Sequence, residues 1–183
     1  MATTQPIGAQ HARAFTLIEL IVTLTIISTM LSIGIPGIIA LASNSRITSE
    51  INNMVRHLHY ARSEAVTRGE SVILCPSLQG DGCDDSFHWQ QGFILFADSN
   101  GDRNLGSGEV VLRHVSPGLG ETRIFTSPGR KKLTFQASGM AMGSTATITV
   151  CDSSGRAKAI ILSNPGRPRL ADTRADGSPL VCI

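Results

Sequence analysis

The hydrophobic pattern divides the chain near its N-terminus. Residues 1–14 are mostly polar, whereas residues 15–42 are almost entirely apolar and contain one charged residue, Glu19. A helix rises about 1.5 Å per residue, so roughly 20 apolar residues span a bilayer. We therefore predict a membrane-spanning helix over 15–42. Arg13 precedes this segment, which indicates that residues 1–14 stay in the cytoplasm and that the C-terminal part is exported as the globular end of a single-pass protein.

After residue 42 the apolar positions form a helical stripe. They recur in alternating steps of four and three, at Ile47, Ile51, Met54, Leu58, Ala61 and Ala65. This spacing places them on one face of an amphipathic helix over 43–68, which Gly69 ends. We expect that face to pack on a sheet. His57 and His59 point to different faces, and we interpret both as surface residues.

Beyond Gly69 the pattern is that of short strands separated by Gly, Pro, Asp and Asn turns. Predicted strands cover Ser71–Cys75, Phe93–Ala97, Val110–His114, Arg123–Phe125, Lys132–Gln136, Thr145–Cys151 and Ala159–Ser163. Their close spacing favours antiparallel pairing, so 69–183 forms a β-rich globular domain. The predicted fold class is α+β: one long helix packed on an antiparallel β-domain. Trp89, the single tryptophan, is expected in the core.

Four cysteines in an exported domain favour two disulfides, and three connectivities exist. We favour Cys75–Cys83, which closes a short Gly/Asp-rich loop, and Cys151–Cys182, which ties the last residues to a strand. The second closes the longer loop and so contributes more to stability. Zinc is the alternative, but no C-x-x-C pair is present.

The N-terminal segment resembles the signal of type IV prepilins. In that family a short basic leader is cut before a Phe, which is then N-methylated, and the fifth mature residue is Glu. Here Ala14 precedes Phe15, where the family usually has Gly, and Glu19 is fifth when Phe15 is counted as first. Pro36 matches a proline typical of these helices. The resemblance implies cleavage by a prepilin peptidase between Ala14 and Phe15.

The same resemblance gives Glu19 and Pro36 roles in filament assembly. A carboxylate inside an apolar helix bundle needs a cation, and the free amine of residue 15 in a neighbouring subunit would supply it. Proline lacks a backbone donor, so Pro36 would kink or loosen the helix.

Further stretches are similar to the GspH/FimT family of pilin-like proteins, in particular to minor pilins of the FimT/FimU type. They are CPSLQGDGC from Cys75, Trp89 with GFILFAD, DSNGDRN, EVVLRHV, LTFQASG and ILSNPGRPRL. Members serve as minor pilins of type IV pili or as minor pseudopilins of type II secretion. The resemblance implies partners among other major and minor pilins, and a location in the inner membrane, with the globular domain in the periplasm, and then in an extracellular pilus.

The C-terminal third is basic: from Arg123 onward there are nine Arg or Lys and three Asp or Glu. Its sharpest feature is Gly166-Arg167-Pro168-Arg169. Arginine can bridge phosphate oxygens, and such contacts bind nucleic acid independently of sequence. Similar motifs in FimT-type pilins bind DNA during natural transformation. The candidate residues for double-stranded DNA are Arg167 and Arg169, then Gly166, Arg156, Lys158, Arg130, Lys131 and Lys132. The alternative is a structural turn whose arginines pair with Asp172 or Asp176.

A second candidate motif has the ligand spacing of a calcium loop: Asp98, Asn100, Asp102, Asn104 and Glu109 fall at positions 1, 3, 5, 7 and 12. Position 6 is Arg103 instead of Gly, and a polar hairpin connection explains the loop as well, so no metal or cofactor is expected. No nucleophile elbow or phosphate-cradling loop is present, and we expect no enzymatic activity.

Three functions remain open at this stage. The first is a minor pilin that primes or caps the pilus and binds DNA for uptake. The second is a minor pseudopilin of type II secretion, and the third is a structural pilus primer without DNA binding.

Overall fold

The computed structural model describes residues 16–118 and 122–183, without the side chains of 33–44. The predicted leader, 1–14, and Phe15 lie outside the described residues. The chain divides into two compact units, Met1–Ala42 and Ser43–Ile183.

The helix α1 covers Leu17–Arg68, as the apolar run and the stripe predict. Thr16 caps its start, because its hydroxyl accepts the backbone N–H of Glu19 at 3.3 Å. Gly69 ends it in the left-handed conformation, with φ of 71° and its N–H on the carbonyl of Ala65. Capping and composition therefore explain both ends of the helix.

In the first unit, the large apolar side chains described between Leu17 and Leu31 are all exposed. Hydroxyls between them bond back to the helix itself, as from Thr23 to the carbonyl of Leu20 and from Ser28 to that of Leu24. Among the residues that the structure describes, no helix combines the length and apolar character needed to cross a membrane. The membrane span predicted over 15–42 therefore stays a prediction.

The second unit contains two antiparallel four-stranded sheets. Sheet A has the order β3-β2-β1-β5 and sheet B the order β4-β6-β7-β8. The strands are β1 (Ser71–Pro76), β2 (Phe93–Asp98), β3 (Val111–Val115), β4 (Arg123–Phe125), β5 (Leu133–Phe135), β6 (Ala146–Cys151), β7 (Ala157–Leu162) and β8 (Pro168–Ala171). The first seven lie within two residues of the predicted ones, and the α+β fold class is confirmed.

The main core lies between the α1 stripe and the inner faces of both sheets. All six stripe residues are at most 2% exposed, and they pack with Leu74 and Leu95 of sheet A and Ile148 and Ile160 of sheet B. Each buried Ile or Leu contributes about 1.5–3 kcal/mol relative to exposure, so the stripe holds helix and sheets together. A smaller core on the far face of sheet A is covered by Cys83 and Leu105.

The interpretation of His57 as a surface residue is wrong. His57 is 7% exposed, and its ring meets that of Phe93 edge-on, with 5.2 Å between centroids. Burial, with the charges of Arg113 and Arg56, lowers the pKa of His57. His59 is exposed, as predicted. Trp89 is a core residue, 1% exposed, whose indole N–H donates to the hydroxyl of Thr126 at 3.3 Å.

Strand β8 has no counterpart among the predicted strands. It forms the edge of sheet B and pairs with β7, with Pro168 opposite Leu162 and Arg169 opposite Ile161. Proline is tolerated at an edge, because the outer side of an edge strand has no ladder partner to receive an N–H. The proline in Arg-Pro-Arg is the reason that this short edge strand was predicted as a turn.

Candidate nucleic-acid interface

Sheet B has one face in the core and one face away from it. Ile148, Val150, Ile160 and Leu162 belong to the core. Because strand residues alternate between faces and antiparallel partners share a face, the opposite face is set by the register. This outer face carries Arg123, Phe125, Thr147, Thr149, Cys151, Ala159, Ile161 and Arg169.

The turn before β8 fixes the position of the two candidate arginines. Gly166 is buried, has φ of 72°, and donates its N–H to the carbonyl of Ser163 at 2.8 Å. A Cβ at this position would overlap the carbonyl oxygen of Gly139. Gly166 therefore lets the turn close against the loop at Gly139, and its contact with DNA stays a prediction.

Arg167 and Arg169 are both exposed. Arg169 lies in β8 and Arg167 precedes that strand. Because a residue before proline favours extended backbone, we expect these two side chains, two residues apart, to point to the same side. Within the described residues, no ion pair joins either arginine to Asp172 or Asp176, the partners that a purely structural turn would use.

The C-terminal strap, residues 172–183, lies on the outer face of sheet B. Its hairpin pairs Thr173 with Pro179. Two contacts hold its last residues. Cys182 is disulfide-bonded to Cys151, with 6.0 Å between Cα atoms, and Nη1 of Arg123 donates to the backbone oxygen of Ile183 at 3.0 Å. The last two residues are thus fixed over β4 and β6.

The other disulfide joins Cys75 and Cys83, with 5.5 Å between Cα atoms. Both disulfides match the favoured pairing, and the described cysteines include no free thiol.

A cavity of about 380 Å³ opens between the strap and the outer face. Phe125, Thr147, Thr149 and Ile161 belong to its sheet side. Arg130 and Arg174 also line it, as do Asp176 and Ile183. Hydrogen bonds from the Ser178 hydroxyl and backbone N–H lower the pKa of Asp176, aided by the charge of Arg174.

The predicted cluster at 130–132 is split by the fold. Arg130 turns to the cavity and donates to the carbonyl of Gly143 at 2.6 Å. Lys131 pairs with Asp85 at 2.5 Å. Lys132 donates to the carbonyl of Arg103 at 2.6 Å. Of the three basic residues at 130–132, Arg130 is therefore the one that lines the cavity.

The remaining predicted cations lie elsewhere. Arg156 pairs with the buried Asp152 at 3.1 Å in the turn before β7. Lys158 is exposed opposite Val150, on the core side of the sheet register. Two of the predicted cations, Arg130 and Arg169, therefore lie at the outer face. Arg174 and Arg123 lie there too, and Arg123 was not among the candidates found from the sequence. The alternation of β4, where Arg123 is two residues from Phe125, is the signal that could have found it.

The predicted calcium loop brings three carboxylates together. Oxygens of Asp98, Asp102 and Glu109 lie within 4.8 Å of one another. Asp98 is 4% exposed and accepts the N–H groups of Gly101 and Arg103, while Glu109 accepts those of Ser99 and Gly106.

Arg103 has φ of 63° at the position where a calcium loop has glycine. These contacts explain the sequence pattern as a self-bonded polar hairpin, the alternative to a calcium site that the sequence left open.

The predicted assembly residues are only partly described. Glu19 is exposed in the first turn of α1. Ala14, Phe15 and the side chain of Pro36 lie outside the described residues, so their roles stay predictions.

Comparison with known proteins agrees with this architecture. Residues 50–166 match the family described as type II transport protein GspH, and residues 10–35 match the prokaryotic N-terminal methylation motif. The chain is 27% identical over 166 residues to the pilin-like protein PilA1 of Thermus thermophilus, covering 86% of this chain and 97% of that protein.

Two crystal structures of the type IV minor pilin FimU of Pseudomonas aeruginosa PAO1 have the same fold. The form in space group P21 superposes with a TM-score of 0.57 at 20% identity, over 78% of this chain and 99% of that one. The form in P65 gives 0.52 at 22% identity, over 76% and 99%. The family match covers more than half of the chain, which therefore belongs to the GspH family of type IV pilin-like proteins.

Proposed function

We propose that this protein is a minor type IV pilin that helps prime or cap the pilus and binds double-stranded DNA through Arg167 and Arg169, for uptake in natural transformation. A minor pilin or pseudopilin role follows from the family, the methylation motif and the fold. The DNA-binding part rests on one observation: the two arginines are exposed at the edge of sheet B without an acidic partner among the described residues.

The chemistry of these arginines suits the DNA backbone. A guanidinium is always charged and offers five N–H donors, so it can bridge two phosphate oxygens. Contacts with phosphate carry no sequence information, so the proposed binding is non-specific. The edge strand and the closed turn at Gly166 fix both side chains to a rigid element, which lowers the entropy cost of binding.

On the basis of the same family, we also propose partners for processing and for filament assembly. A prepilin peptidase would cut between Ala14 and Phe15, and Phe15 would then be methylated. Before assembly the protein would reside in the inner membrane with the β-domain in the periplasm. In the filament, Glu19 would pair with the amine of residue 15 in a neighbouring pilin, while Pro36 would loosen the helix.

A minor pseudopilin of type II secretion is the second candidate, because the matching family model is described as a type II transport protein. A pseudopilin role provides no ligand for Arg167 and Arg169. A DNA-binding measurement therefore distinguishes the pilin function from the pseudopilin function.

The test uses the full-length protein in non-ionic detergent and labelled duplex DNA, followed by fluorescence anisotropy over a salt series. An Arg167→Ala/Arg169→Ala variant is compared with the wild type. Hydrogen bonds to charged groups contribute about 1.5–3 kcal/mol each, so we expect at least a roughly ten-fold loss of affinity at low salt. The slope of log affinity against log salt should fall by about 1.8, or 0.9 per lost phosphate contact.

The matched control is Arg46→Ala/Arg56→Ala, which removes the same charge from two exposed positions of α1. It should keep the wild-type slope. Equal losses of affinity in both double variants would show that only the net charge matters. If the folded wild type does not bind DNA at low salt, the protein is a filament-priming subunit without a DNA role.

A further inference from the structure

We infer that the cavity under the C-terminal strap takes one unpaired nucleotide of a DNA strand, so that the protein prefers DNA with a single-stranded overhang to blunt duplex. This inference deepens the proposed function and rests on it for the delivery of DNA to this face. The cavity itself is a separate site from Arg167 and Arg169, with its own residues.

The size of the cavity is compatible with one nucleotide. At about 380 Å³ it lies within the range of 300–1,000 Å³ that small-molecule sites occupy. A base pair stacked in a duplex cannot enter a space of this kind, and proteins that hold a base in a pocket first take it out of the stack. An overhang presents its nucleotide without the cost of unpairing.

The lining offers groups for each part of a nucleotide. Phe125 and Ile161, 4% and 5% exposed, form the apolar part of the lining against which a base can pack. The hydroxyl of Thr147 can donate to a phosphate or sugar oxygen, and the guanidinium groups of Arg130 and Arg174 can pair with phosphate. Arg130 is already oriented by its hydrogen bond to Gly143, and that bond uses one of five donors.

Asp176 is the acidic side chain in the cavity lining, and its carboxylate is hydrogen-bonded within the strap. Asp176 accepts both the hydroxyl and the N–H of Ser178, at 2.7 and 2.9 Å. The backbone oxygen of Ile183 accepts a hydrogen bond from Arg123 at 3.0 Å. Among the residues that line the cavity, the charged side chains are those of Arg130, Arg174 and Asp176, two positive and one negative.

The register of sheet B connects this cavity to the DNA-binding arginines. Arg169 lies directly across from Ile161, and Ile161 lies directly across from Thr147. Ile161 and Thr147 both line the cavity. Arg169 therefore lies one strand spacing, about 4.8 Å between backbones, from a residue that lines the cavity.

The experiment compares two labelled duplexes of equal paired length, one blunt and one with a two-nucleotide overhang, on the full-length protein in detergent. Thr147→Phe fills the sheet side of the cavity without changing charge, and Thr67→Phe, at an exposed position of α1, is its control. Stacking of one base is equivalent to at least about five-fold in affinity, so the wild type and Thr67→Phe should prefer the overhang by that factor. Thr147→Phe should bind both duplexes equally.

A second variant keeps the inference testable if Thr147→Phe does not fold. Arg174→Ala changes an exposed residue of the strap, with Arg46→Ala as its charge-matched control, and it should reduce the overhang preference while Arg46→Ala keeps it. Equal binding of both duplexes by the wild type overturns the inference, and so does a preference that survives in folded Thr147→Phe.

Failure of the proposed function is distinguishable from failure of this inference. If the wild type binds neither duplex, the DNA-uptake proposal fails, and equilibrium dialysis of deoxythymidine 5′-monophosphate decides the cavity. Retention that Thr147→Phe abolishes supports the nucleotide site, whereas no retention at millimolar concentration refutes it.

Discussion

Removing the Cys151–Cys182 disulfide should destabilise the protein more than removing Cys75–Cys83. The first bond spans 31 residues of sequence and the second spans 8. Both perturbations replace two cysteines by alanine, and Cys75 and Cys151 are equally buried at 0% exposure. The two double variants therefore differ mainly in the length of the loop that they open.

The magnitude follows from the chain entropy of the unfolded state. The relation ΔS ≈ −2.1 − 1.5R ln n gives about 12 cal/mol/K for the longer loop and about 8 cal/mol/K for the shorter one. At 25 °C these correspond to about 3.7 and about 2.5 kcal/mol of unfolding free energy. With a urea m-value near 2 kcal/mol/M, the midpoints should fall by about 1.8 and about 1.2 M.

The assay is urea unfolding followed by fluorescence of Trp89, the single tryptophan, which is 1% exposed in the core. The wild type under reducing conditions should reproduce the sum of both losses. An unchanged midpoint for Cys151→Ala/Cys182→Ala would refute the reasoning, because the strap would then undock without coupling to the core. A larger loss for the shorter loop would refute the entropy argument itself.

Three further predictions concern backbone conformation and the titration of His57. Gly166→Ala should lower the free energy of unfolding in urea by about 3 kcal/mol or more, because a Cβ at φ of 72° overlaps the Gly139 carbonyl. The control Gly155→Ala, at φ of 82° with open space around it, should lower it by only about 1 kcal/mol, and equal losses would contradict the overlap. Stability should fall as pH drops below about 6.5, because the lowered pKa of His57 makes the unfolded state bind the proton first. His57→Gln should flatten that decline between pH 7 and 5, and an unchanged slope would exclude His57 as its source. Arg103→Gly should stabilise by up to about 1 kcal/mol by relieving φ of 63°, and a loss of stability would show that the side chain contributes more than the strain costs.

The helix and most strands could be predicted because local pattern and tertiary packing agree. The stripe from Ile47 to Ala65 has a single face to bury, and the strands alternate between well-marked turns. His57 was missed because a buried helical face is wider than one line of residues. Phe93 covers the flank of that face, and only the tertiary structure shows which flank is covered.

The candidate site could be predicted only in part, because half of it comes from distant segments. Arg167 and Arg169 are two residues apart in sequence and could be found as a motif. The contact of Arg123 with Ile183 joins residues 60 apart, and the cavity exists only once the strap is laid on sheet B. The basic run at 130–132 looked like one cluster in sequence, but its side chains diverge to Gly143, Asp85 and the 98–109 loop.

Two separate constraints hold the two parts of this surface. The arginine pair is held by the backbone, through the closed turn of Gly166 on Gly139 and the ladder between β7 and β8. Gly139 in turn lies against Arg62 and Val66 of α1, so the motif is braced by the same helix that carries the core stripe. The strap depends instead on Cys151–Cys182 and on the contact of Arg123 with the terminal residue. Because the two constraints share no residue, loss of the strap should remove one side of the cavity but leave the ladder that positions Arg169. The proposed contact with the DNA backbone and the inferred nucleotide capture are therefore predicted to be separable by mutation.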